Sequence, residues 1–177
     1  LYTDADSLAT MRLKASSLLD ASSMRQLSDD KEPGLLATIL HEAAHNLGPA
    51  HEYEVDGKTA SKVFGGPLAA TLEELKAQTA ALWYTDFLRS KGLITPQFAA
   101  NSYVGSFVWA LGHISNGMYT PTKKPKPYAQ LSAIQVGFLQ DQGAVTWDPA
   151  APAANGTDKG AFTVHLDKLP SAADAIM

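Results

Sequence analysis

His41, Glu42 and His45 stand in the order His-Glu-Ala-Ala-His, and that order carries chemistry if the segment is helical. Residues four apart share one helix face, with Cβ atoms about 6 Å from each other, so one ion can bridge both imidazoles. A glutamate placed one residue after the first histidine is turned toward water beside the ion, which suits it to act as general base. A catalytic zinc takes three protein ligands and leaves the fourth position open. The third ligand has two sources. His51 closes the run HEAAHNLGPAH and offers a third imidazole shortly after the helical pair. Glu73 and Glu74 stand as adjacent carboxylates in TLEELKAQ. With no cysteine in the chain, any metal must be held by imidazole and carboxylate.

The chain has 177 residues, 45% of them hydrophobic, which is enough for one domain with its own core and no covalent staples. Its 14 Lys and Arg against 18 Asp and Glu leave a formal charge of −4, so no basic face follows a phosphate backbone and nucleic acid is not an expected partner. No apolar run reaches the roughly 20 residues that span a bilayer, and the opening Leu1-Tyr2-Thr3-Asp4 has no export signal. We expect a soluble chain, in a compartment left open. The missing initiator Met suggests a processed or excised piece of a longer parent.

The elements that must position these groups are mostly helical. Leu8, Met11, Leu13, Leu18, Leu19, Met24 and Leu27 are spaced for one helix over about 4–27. After a polar turn from Ser28 to Pro33, Leu35, Leu36, Ile39, Leu40, Ala43, Ala44 and Leu47 recur at helical spacing, with a stop expected at Gly48-Pro49. The polar stretch 51–66 reads as a surface loop with a short hairpin through Glu54 to Lys58. The longest helical signal runs from Leu68 to Lys91, with Leu68, Leu72, Leu75, Thr79, Leu82, Trp83 and Phe87 as its packed stripe and Gly92 as its stop. Trp83 and Tyr84 therefore read as packing.

Two more helices are expected over Gln97 to Leu111 and Tyr128 to Gln142, and the loop between them carries Lys123, Lys124 and Lys126 as a solvated run. Ala144 to Trp147 and Ala161 to His165 alternate as two strands able to pair. His165 reads as structural. The expectation is a mainly helical domain over 1–177, with a small β-hairpin near the C-terminus.

Two resemblances compete for the third ligand. The run from His41 to His51 satisfies the HExxHxxGxxH spacing of the metzincins, and Asn116-Gly117-Met118-Tyr119 resembles their methionine turn. That family implies a twisted sheet before the active-site helix, and residues 1–40 contain no convincing strand. The pair HEAAHNLG and TLEELKAQTAAL resembles instead the zinc helices of the dipeptidyl peptidase III family of gluzincins and its shorter-motif relatives, and the likeness covers most of 35–148. It implies a helical zinc-peptidase catalytic domain, one Zn2+ and a peptide substrate. Glu74 matches the third ligand, and Glu73 matches a neighbour just outside the coordination sphere.

This sequence departs from the family at several points. The best-known form has an extra residue between its histidines. Gln78 stands where an acid often orients a zinc histidine, and its amide oxygen can accept the same bond without the charge. The resemblance also implies an oxyanion-stabilising histidine near Tyr128. None occurs there, which leaves Tyr128 as the nearest group of suitable chemistry, while His113 is a second candidate facing the cleft. The lobe lining the far side of the family's peptide cleft is missing.

The leading expectation is hydrolysis of a peptide bond by water that the metal activates, with Glu42 as base. The alternatives are a metzincin-like endopeptidase using His51, or a zinc-binding fragment or subunit without turnover of its own. Since substrate orientation needs a second wall, we expect the chain to bind zinc but to hydrolyse peptides poorly without the remainder of its parent.

Overall fold

A computed structural model describes residues 4–47 and 54–177. The N-terminal region forms α1 (Ala5–Leu18) and α2 (Ala21–Met24) where one helix was expected. Asp4 caps α1 by accepting from the Ser7 amide at 2.9 Å. The break at Leu19 and Asp20 has a tertiary cause. Leu19 is extended and bridges Phe162, and the Asp20 amide donates to the Phe162 carbonyl at 2.9 Å. The Asp20 carboxylate then caps α2 through the Ser23 amide at 2.8 Å.

Next come α3 (Glu32–Ala44), the hairpin strands β1 (Glu54–Val55) and β2 (Lys58–Thr59), and the short α4 (Ala60–Phe64), a helix within the stretch expected as loop. The long α5 (Gly66–Ser90) ends where expected. Gly92 takes φ +70°, with its amide on the Arg89 carbonyl and the Leu93 amide on the Leu88 carbonyl, each at 3.0 Å. That is a Schellman arrangement, and its left-handed residue favours glycine.

The helix α6 (Pro96–Ser115) is capped by Thr95 and runs four residues past its expected end. It is followed by α7 (Pro127–Asp141), β3 (Val145–Pro152), β4 (Lys159–Val164) and an unanticipated α8 (Leu169–Ile176). β3 and β4 pair antiparallel from Val145↔Val164 to Asp148↔Ala161, with a register shift before Pro152↔Lys159. A Cβ on Gly160 would lie 2.5 Å from the Trp147 ring, so glycine is what lets that ring lie over the strand. The fold is mainly helical with a small C-terminal hairpin, as expected. Its main core gathers Leu19, Leu82, Val104, Phe107, Val145 and Leu169 among other residues.

The buried faces of the two motif-bearing helices differ from the apolar stripes. On α5, Thr79 and Leu82 are buried, but Leu68 and Phe87 are 49% and 40% exposed. The side of α5 that is covered carries Ala77, Gln78, Ala80, Ala81 and Thr85. On α3, Leu35 and Ile39 are 52% and 54% exposed, while His41 and Ala44 are buried. The helices turn small and polar residues toward each other, and a small cluster of Ala44, Ala77 and Ala80, flanked by Tyr84, holds α3 on α5. Alanine at these contacts lets two backbones approach closely. Among the described residues, no helix is long and apolar enough to cross a membrane.

Candidate metal centre

The close packing of α3 on α5 brings His41 and His45 over Glu73, Glu74 and Gln78. His41 Nδ1 lies 3.0 Å from Gln78 Oε1, and His45 Nδ1 lies 3.1 Å from Glu73 Oε1. Both partners are acceptors, so each imidazole donates through Nδ1 and carries a lone pair at Nε2. The two Nε2 atoms are 3.2 Å apart. Glu74 Oε2 sits 3.2 Å from His41 Nε2 and 3.8 Å from His45 Nε2, and it is buried without a hydrogen-bond partner.

Three acceptors thus converge with no donor among them, an arrangement that a cation relieves. All three ligand atoms lie within 4.8 Å of one another. A tetrahedral ion with bonds of roughly 2.0–2.1 Å holds its ligands roughly 3.3 Å apart, which matches the observed separations closely for two pairs and within about half an ångström for the third. The donor set fits a metal ion.

Outside these three atoms the structure adds a contact that the sequence reading missed. Lys76 Nζ donates to Glu73 Oε1 at 2.7 Å and to the Leu47 carbonyl at 3.0 Å. It links the end of the His-bearing segment to the carboxylate that orients His45, and its i, i+3 spacing from Glu73 was a visible signal. Burial raises the Glu73 carboxyl, but hydrogen bonds from Lys76 and His45 and the charge of Lys76 outweigh it and hold the group below the usual carboxylate range. Glu73 is therefore anionic at neutral pH.

His41, Glu42 and Gln78 also line a cavity of about 530 Å³ between α3 and α6, together with Trp109, His113 and Tyr128. His113 lies in the last turn of α6, not in a loop. Its ring centroid is 4.2 Å from that of Trp109 and 5.5 Å from that of Tyr128. Burial pushes its pKa below the ordinary value of 6.5, so the ring is neutral at pH 7. Trp109 was not anticipated, although it stands four residues before His113 on the same helix face. His165 is structural in its contacts, with Nε2 2.9 Å from Thr146 Oγ1. His51, the alternative third ligand, lies outside the described residues.

No family model matches the chain. It is 25% identical over 141 residues to Nudix hydrolase 3 of Arabidopsis thaliana, a match covering 78% of this chain and 16% of that protein. The solved structure of DPP III from Caldithrix abyssi superposes on it with a TM-score of 0.74 and 21% identity, over 94% of this chain and 29% of that one. The fold is DPP III-like. At these coverages the chain spans less than a third of either protein's length. Within the DPP III-like fold, the residues singled out from the sequence divide into two groups. His41, His45, Glu73, Glu74 and Gln78 meet at one point, whereas Glu42, His113 and Tyr128 line the groove beside it.

Proposed function

We propose that the chain is a zinc metallopeptidase domain of the gluzincin type, one catalytic unit over 1–177 that works as part of a longer parent chain. The observation that carries this reading is the convergence of two Nε2 lone pairs and the orphaned Glu74 Oε2. Two imidazoles, one carboxylate and an open position form a zinc-type donor set. The DPP III-like fold supports peptide as the substrate class.

A bound zinc would supply Lewis-acid polarisation of water and of the substrate carbonyl. Glu42, exposed on the groove next to His41, takes a proton from the attacking water and passes it to the leaving amine. Gln78 and Glu73 keep both imidazoles in the tautomer that presents Nε2. Neutral His113 retains one ring N–H, and the Tyr128 ring centroid lies 5.5 Å from its own; the two side chains line the groove and can donate to the oxyanion that develops on the carbonyl.

The test combines metal analysis with a peptidase assay. Wild-type protein should carry one zinc per chain, and Glu74→Ala should lose it. Anomalous diffraction at the zinc edge should place the ion among His41, His45 and Glu74. Zinc retained by Glu74→Ala and lost from His51→Ala would overturn the assignment.

A further inference from the structure

Resting on the peptidase reading, we propose that the groove between α3 and α6 is a specificity pocket that takes an uncharged, apolar side chain of the peptide. The groove is continuous with the proposed catalytic groups because His41 and Glu42 line it. From Glu42 it follows the α3 face through Thr38 and Ala37 to Gly34, eight residues and so about 12 Å at 1.5 Å per residue. An extended peptide advances roughly 3.3 Å per residue, which brings a side chain roughly three to four residues from the scissile bond to the far end.

The opposite wall is α6, whose Ser102, Gly105 and Ser106 keep the trench open. Met11 and Leu27 close its end. That end is braced: Arg12 Nη1 donates to the Leu27 carbonyl at 2.7 Å, and Arg12 Nε pairs with Asp29 at 3.2 Å.

Two features define the occupant. Among the described residues, the charged groups lining the groove besides Glu42 are Asp30 and Lys31, both exposed on the turn before α3. Both are solvated, so a charged side chain seated between Met11 and Leu27 would lose more hydration than their screened charges repay. Ser102 lines the groove, is 2% exposed, and its Oγ has no hydrogen-bond partner. A peptide amide or carbonyl running along the trench would satisfy that hydroxyl once the side chain turns toward the groove, since its oxygen is otherwise sealed from solvent.

The space can be filled without touching the metal ligands. A Cβ at Gly34 would meet nothing within 4 Å, and one at Gly105 would meet only Leu27 Cδ1, at 3.9 Å. Gly34→Phe therefore blocks the groove, Gly34→Ser adds little bulk, and Gly105→Leu blocks from the other wall should Gly34→Phe fold poorly.

Binding is measured by calorimetry on the zinc-loaded 177-residue chain carrying Glu42→Gln, which leaves peptides uncut. A single Leu, Phe, Asp or Lys is walked along an otherwise Gly/Ser hexapeptide. Leu and Phe should bind about tenfold or more tightly than Asp or Lys at one position, the gain from burying one apolar side chain. Gly34→Phe or Gly105→Leu should erase the difference with zinc content unchanged, and Gly34→Ser should keep it.

Equal binding of all four side chains at every position, or a preference that survives both blocking variants, overturns the proposal. So does dimerisation of the chain that Gly34→Phe abolishes, since the occupant would then be a second copy. Zinc binding and turnover without apolar preference would refute the pocket alone. Selective binding by a chain that neither holds zinc nor cleaves peptides would refute the peptidase reading and leave the pocket standing.

Discussion

Replacing Gln78 by Leu removes the acceptor that orients His41 while nearly conserving volume. The Gln78 amide oxygen accepts the His41 Nδ1 proton at 3.0 Å, and both residues are buried, so water cannot readily take its place. An unsatisfied buried donor costs about 1–3 kcal/mol. Part of that cost is recovered when the ring flips or swaps tautomer, and either change turns the Nε2 lone pair away from Glu74 and His45. The penalty therefore appears in metal affinity, as a loss of about 10–100-fold, the usual effect of removing a partner of a metal-bound histidine.

The assay is competition for zinc against a chromophoric chelator at pH 7.5, with circular dichroism to confirm helix content. Gln78→Glu supplies the contrast. A carboxylate of the same length accepts a stronger, charge-assisted bond, so this variant should bind zinc at least as tightly as wild type. If Gln78→Leu binds zinc with wild-type affinity, the His41 to Gln78 contact does not orient the ligand and the proposed ligand geometry is wrong.

Three further outcomes follow from particular groups. Glu42→Gln should keep one zinc per chain and lose peptide hydrolysis by about 10²–10⁴-fold, measured as turnover per bound zinc; retained turnover assigns the base elsewhere. His113 has its pKa lowered by burial, so the unfolded chain binds more protons and stability falls as pH drops below the unfolded value near 6.5. The metal-free His113→Gln variant should show a flatter melting temperature between about pH 6.5 and 5, and an unchanged slope would count against a buried neutral ring. Gly160→Ala should destabilise by about 1–3 kcal/mol in urea denaturation, because φ is +88° and the new Cβ would meet Trp147; a neutral result would mean that the ring moves aside freely.

Local patterns in the sequence determined much of this molecule. An i, i+4 histidine pair inside a helix must share a face whatever surrounds it, and adjacent glutamates one turn into a second helix offer carboxylates at a known place. Helix periodicity likewise placed α3, α5, α6 and α7, and strand alternation placed β3 and β4, because backbone hydrogen bonding within each segment sets those repeats. Tertiary contacts decided the rest. Leu19 and Asp20 leave the helical path because their backbone pairs with Phe162, a partner more than a hundred residues away that no local window contains.

The apolar stripes misjudged which side of α3 and α5 is covered, since alanines at Ala44, Ala77 and Ala80 permit close approach while Leu35, Ile39 and Leu68 face outward. Only that approach sets Gln78 and Glu73 against the imidazole Nδ1 atoms and leaves Glu74 Oε2 without a partner. The identities of the proposed ligands were written in two short motifs. Their convergence, and the groove beside them, came from long-range packing between helices whose spacing no periodicity encodes.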